Sequence, residues 1–381
     1  MNKNKKDEFF NKYFNNKKDD IFFVTLKKGV SIKFKEFEYI TSSELPVPVR
    51  AGKLLEDIRR ENEVEKAGIS LSNIIDGIIY VQGSDKDFEY LYEYRKMLEL
   101  LCFDLQPYII HCINNLDEGN LDDSVIYGNA LININEDDKN CFIYASVLEK
   151  KATDKKLKDN ESQFFLEEAH FFYEKALDYN DKFALSYYKL GYYYKLQQQY
   201  VKAELHWKKH QELDKDVVRI EEIRNELQQL EPYVDFENGY NLVLKEQPNE
   251  ALDLLLPLVN DFSGWWNLLF FIGLAYRSLG EYEIAEKYFE NVLKIEQYQK
   301  ETLNELGLCK ICRGKYTEAS ELFTTLLNIE PGNCEIFCNR AVAHLYNNEV
   351  ERAKEDITTA LKINPDDEVA LGIKLEIEQN Y

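Results

Sequence analysis

Four cysteines near the C-terminus fall in two close pairs, Cys309-Lys-Ile-Cys312 and Cys334-Glu-Ile-Phe-Cys338. Thiolates so spaced bind zinc when four ligands converge on one point. His206 and His210 stand four apart, a spacing that places two imidazoles on one helix face. Carboxylates are everywhere among 69 acidic residues, so no pair of them stands out as an acid and base. The chain has no Gly-rich loop ending in Gly-Lys-Ser/Thr, no His-Glu-x-x-His and no Gly-x-Ser-x-Gly. No catalytic residue and no cofactor is therefore assigned, and a non-enzymatic protein is expected. Whether the thiols and imidazoles can converge depends on the elements that carry them.

Those elements repeat every 34 residues. Stepping by 34 from Ala319 reaches Ala285, Ala251 and Ala353. Gly307 is matched by Gly273, Gly239 and Ala341, and Phe323 by Phe289, Leu255 and Ile357. Pro331 is matched by Pro365. Four gapless units result, 232–265, 266–299, 300–333 and 334–367. Each reads as two helices. In 300–333 the first carries Leu303, Leu306, Gly307 and Cys309 at helical spacing, and Gly314 breaks it. The second carries Ala319, Leu322, Phe323 and Leu326 and stops before Pro331. Gly307 and Ala319 are placed where the two helices cross most closely.

The pattern resembles the tetratricopeptide repeat family. Residues 184–217 form a further unit, with Tyr187, Leu190, Gly191, Tyr194, Ala203 and Trp207 in phase, while His210 and Lys215 depart from it. Residues 139–183 fit with about eleven extra residues between the helices, and 105–138 fit weakly through Ser124, Gly128 and Leu131. The fold class expected is mainly α, a helical-hairpin solenoid. Residues 218–231 form an inserted helix ended by Pro232. Pro257 predicts a kink. Residues 368–381 read as a capping helix. In this register the two cysteine pairs lie on parallel first helices, displaced by about 7–18 Å along the axis. They are not expected to share a metal. His210 falls at a position that faces the neighbouring hairpin, so packing is expected there too.

Charge and the N-terminus add a second theme. The net charge is −22, yet residues 1–50 carry a net of +4, leaving −26 for the rest. An acidic body disfavours nucleic acid and anionic membranes, so neither is expected as a partner. Seven scattered cysteines are not a disulfide framework and agree with a reducing cytoplasm. Residues 1–104 are expected to form an α+β region. Within it, 21–40 reads as a β-hairpin turning at Gly29, with a bulge or strand end near Glu36. Helices are expected over 50–62, 72–81 and 85–104.

The resemblance implies that first-helix positions 2, 5, 9 and 12 line a concave groove that holds ligand peptides. Here that face carries Tyr188, Tyr192, Tyr233, Phe236, Tyr240, Phe270, Leu274 and Asn304. Glu301 and Glu335 make its C-terminal part acidic. The inserted helix 218–231 is the alternative cover for the aromatics. The carboxylate clamp of chaperone-tail adaptors is absent, because Phe270, Leu274, Glu305, Glu335 and Asn339 stand at its positions. A protein or peptide partner is expected in the groove. The alternative is a peptide-pheromone regulator resembling Rap-type receptors. The partner's identity and the oligomeric state do not follow from the sequence.

Overall fold

The computed structural model describes residues 3–51, 70–116 and 120–380. The helix expected over 50–62 lies almost entirely outside the described residues. The chain divides into two compact units, residues 1–197 with 205–223, and residues 198–204 with 224–381.

In the first unit, α1 (Lys3–Lys17) leads through a short 3-10 turn to four strands, β1 (Ile21–Leu26), β2 (Ser31–Phe34), β3 (Phe37–Ile40) and β4 (Leu45–Arg50). The expected hairpin is not the one that forms. β2 pairs with β3, closed by a two-residue turn in which Lys35 takes φ +53, and β1 pairs antiparallel with β4. The reversal of side-chain phase at Glu36 is that turn. β4 reads LPVPVR, and its two prolines lack ladder donors, which argues against a strand in a sequence. They are tolerated because this sheet has only two strands. Val47 and Val49 are fully buried. The strand lies directly on Gly77 of α2 (Leu71–Ser84), where a Cβ would come 2.1 Å from the Pro48 carbonyl oxygen. α2 is buried from Asn73 to Ser84, as a helix apolar on most sides must be.

α3 (Leu91–Leu100), α4 (Leu105–Asn115), α5 (Leu121–Ile134), α6 (Asp138–Ala152), α7 (Asp159–Tyr179) and α8 (Ala184–Leu196) follow. α1 returns onto α5 and α7. Phe9, Phe10 and Tyr13 pack edge-on or tilted against Phe164 and Phe165, while Lys6 meets Glu168 at 2.8 Å and Lys17 meets Asp122 at 2.6 Å. The excess of positive charge in the first fifty residues thus has acidic partners in its own unit. Arg50 grips Asp123 through both terminal nitrogens, at 2.8 and 2.9 Å, and stacks over Tyr80. This ties β4 to α5 and α2.

α9 (Tyr200–Leu213) and α10 (Val217–Leu244) each contribute to both units. α10 corrects the expected end at Pro232. The proline sits mid-helix, and the inserted segment and the next first helix are one 28-residue helix. A mid-helix proline costs about 3 kcal/mol or more. Burial of Leu230, Val234 and Phe236 on either side offsets it.

The second unit continues with α11 (Pro248–Leu258), α12 (Trp266–Ser278), α13 (Tyr282–Ile295), α14 (Lys300–Cys312), α15 (Tyr316–Ile329), α16 (Cys334–Tyr346), α17 (Val350–Ile363) and α18 (Glu368–Asn380). Pro257 is the last residue but one of α11. That helix has 11 residues against 14 in α13, α15 and α17. Successive helices pack as hairpins, and the small residues mark their crossings. Ala251, Ala285, Ala319 and Ala353 are fully buried, as is Ala203 in α9. A Cβ on Gly307 would come 2.6 Å from the Phe323 ring, on Gly273 2.6 Å from Phe289, and on Gly239 2.4 Å from Leu255. In the first unit Gly191 stands in the same relation to Trp207, at 2.2 Å. Gly314 takes φ +74 between α14 and α15, and Pro331 and Pro365 follow the ends of α15 and α17. α18 buries Ala370, Ile373 and Ile377 against Cys338, Ala341 and Ile357. No described helix is long and apolar enough to cross a membrane.

Candidate interaction groove

The residues expected on the groove face do not form one open stripe. Tyr188 and Tyr192, one turn apart on α8, belong to the first unit. Both phenols donate to Glu222 Oε1, at 2.8 and 2.5 Å, and the Tyr192 ring meets Trp207 edge-on. Glu222 lies in the first turns of α10, so the inserted segment ties down the hydroxyl ends of these two half-buried rings.

In the second unit Tyr233 packs against Tyr200, Phe262 and Trp265. Phe236 is only 8% exposed. Its ring centroid lies 4.4 Å from that of Trp265, and Tyr240 and Phe271 complete the cluster. Phe236 therefore cannot act as an open anchor. The cover is the start of the following hairpin, not residues 218–231. Trp265 and Phe271 were not singled out in the sequence. A tryptophan at the last position of a unit was the available signal, since a ring that size beside a helix start must pack on the neighbouring helix.

Further along, the face opens. Phe270 and Leu274 on α12 are half-buried, as are Asn304 and Leu308 on α14 and Asn339 and Val342 on α16. Asn339 Nδ2 donates to Asn304 Oδ1 across 3.1 Å, linking the first helices of adjacent repeats. Between α14 and α16 lies a cavity of about 190 Å³ whose walls include Glu301, Asn304, Glu335 and Ile336. Glu301 and Glu335 are exposed. Burial raises the Glu305 carboxyl above the ordinary range, against the pull of Arg277 at 2.8 Å, and Glu335 adds to the rise. This part of the face is apolar at one end and acidic at the other.

Of the other chemistry-bearing residues, Cys312 is exposed and Cys334 half-buried, and the rest are packed. His210 is fully buried, with its Nδ1–H donating to the Ala184 carbonyl at 2.9 Å and Nε2 3.3 Å from Asp214. His206 packs at a tilt against Tyr187 and Tyr194 instead. Cys309 lies in a cluster with Ala285, Phe289 and Leu306, and Cys338 in another with Ala341, Ile357 and Ile373. Burial pushes both thiols up to about 12.

Asp214, in the link between α9 and α10, accepts Arg219 Nε at 2.7 Å and Nη2 at 3.1 Å. That pairing, with two backbone N–H bonds, holds its carboxyl at about 2 against an ordinary 3.8. A depressed acid stabilises the fold above its unfolded pKa, and the contribution is lost as pH falls through the folded value. Between pH 4 and 2 the urea midpoint of the wild type should therefore fall more steeply than that of Asp214→Asn. Parallel slopes would show the pairing to be without effect on stability.

Residues 267–298 and 335–367 match the family model for the tetratricopeptide repeat. Both matches fall in phase with the 34-residue register, inside units 266–299 and 334–367. Similar solved structures include YrrB, described as a TPR protein with an unusual peptide-binding site. It is 22% identical over 53% of this chain and 97% of its own, with a TM-score of 0.39. MamA is 15% identical over 48% of this chain and 92% of its own, with a TM-score of 0.36. The first TPR domain of human RPAP3 is 18% identical over 30% and 90%, with a TM-score of 0.29. No curated protein sequence matches the chain.

Proposed function

We propose that this chain is a non-enzymatic, cytoplasmic interaction protein whose second unit holds an extended peptide segment of a partner along α12, α14 and α16. The half-buried line of Phe270, Leu274, Asn304 and Asn339, ending at exposed Glu301 and Glu335, carries the reading. Apolar side chains of the peptide would pack on Phe270 and Leu274. The asparagine amides can bond its backbone, since each offers both donor and acceptor atoms. Two exposed acids at the far end favour a lysine or arginine there and disfavour an acidic tail. The absent carboxylate clamp agrees with that preference.

The test is a peptide array that varies one apolar and one basic position independently, followed by titration of the best sequence. Phe270→Ala with Leu274→Ala should weaken binding by at least about 2 kcal/mol, the scale of hot-spot truncation. Glu301→Lys should shift preference from basic to acidic peptides. Binding that is indifferent to all three substitutions would place the partner site elsewhere.

A further inference from the structure

The second cysteine pair has a third neighbour that spacing did not reveal. Cys334 opens α16, and Cys338 stands one turn on, so their side chains share a face. Asp367 immediately precedes α18, at the point where the repeat brings the chain back to the same level. Its carboxylate and the two sulfurs each offer an atom within 4.8 Å of the others. Cys338 is buried, while Cys334 and Asp367 are half-buried, so the group has protein on one side and solvent access on the other.

Tetrahedral zinc takes thiolate sulfur at about 2.3 Å and carboxylate oxygen at about 2.0–2.2 Å, which sets its ligands roughly 3.5 Å apart. Closing from 4.8 Å to that spacing takes side-chain movement of about an ångström, within reach of one rotamer adjustment. The carboxylate is already oriented for the role. Its Oδ1 accepts the Ala370 N–H at 2.9 Å and its Oδ2 lies 3.4 Å from Asn364 Nδ2, outer contacts that leave further lone pairs on both oxygens. In their thiol form the three groups already bond to one another: Cys334 pairs with the Asp367 carboxylate and with Cys338, and its Sγ has the Ala360 carbonyl at 3.5 Å, so a metal would replace contacts that hold the same side chains together.

The geometry points to a zinc site formed by Cys334, Cys338 and Asp367, with water in the fourth position. Binding would release the thiol protons to solvent and involves no change of oxidation state. Two sulfurs and one oxygen suit zinc over magnesium or calcium, which take oxygen alone. Cys309 and Cys312 have no part in it, as the repeat register requires. The site ties the start of α16 to the start of α18, and so fastens the last helix to the stack.

The test uses the full chain, reduced and stripped with chelator, then titrated with cobalt(II) and back-titrated with zinc. One equivalent of cobalt should bind with a near-ultraviolet sulfur-to-metal absorption band, displaced by zinc. Cys334→Ser should abolish the band, Asp367→Asn should weaken binding by at least about tenfold, and Cys312→Ser should leave both unchanged. Zinc should also slow hydrogen exchange in α18. Cys338 is buried, so its serine variant risks misfolding; the half-buried Cys334 decides the matter alone. Absence of the band, a band that survives Cys334→Ser, or loss of the two thiols to a disulfide under reducing conditions would each overturn the assignment.

Discussion

Alanine at both Phe236 and Tyr240 is expected to destabilise the second unit by several kcal/mol. Phe236 is almost wholly enclosed by Trp265, Tyr240 and Phe271, and buried Phe-to-Ala changes cost about 3–5 kcal/mol through lost transfer energy and the cavity left behind. The aromatic pairs add about 0.5–1.5 kcal/mol each beyond area burial. Trp265 would lose its main platform, so hydrogen exchange should rise at the start of α12 as well as in α10. Urea unfolding followed by tryptophan fluorescence gives the number. A loss below about 1 kcal/mol would mean that the ring is not core, and would return it to the groove.

Phe323→Ala should cost about 3–5 kcal/mol, and the damage should stay local. The ring is fully buried and faces Gly307, which has no side chain with which to fill the gap. In a stack each repeat contacts only its neighbours, so stability is close to a sum of repeat and interface terms. Protection from exchange should therefore fall across 300–367 and remain in α2 and α5 of the first unit. A uniform fall along the chain would show that the array unfolds as one block.

The repeat could be read from residues because its constraints are steric and recur in phase. Gly307, Ala319 and Phe323 are what a close helix crossing demands, and four units display them at one spacing. The N-terminal strands were harder. Local alternation in 21–40 was visible, but β1 pairs with β4 across eighteen or more intervening residues, and Pro46 and Pro48 hide β4. The groove was readable as a set of positions but not as a surface. Which of those side chains stay open depends on Trp265 and Glu222, whose positions come from tertiary packing. Asp367 was missed for a related reason: it meets Cys334 only because 33 residues of helix, turn and helix bring the chain back to its starting level.

The contact of a glycine with a large side chain, described for Gly191, Gly239, Gly273 and Gly307, always joins residues sixteen apart. The large member varies, being Trp207, Leu255, Phe289 or Phe323, and the final unit holds Ala341 with Ile357 in the same core cluster. What is matched is a volume shared between two sites, not an identity at either. Exchange of segments between repeats is then uneven in its effects along the chain. A crossover in the turn after α15, near Pro331, transfers both members of a pair together. A crossover at Gly314 leaves one behind, and can set a side chain where only hydrogen fits. New arrays grown from this chain by recombination would inherit their seams at the ends of hairpins and lose those cut through the middle.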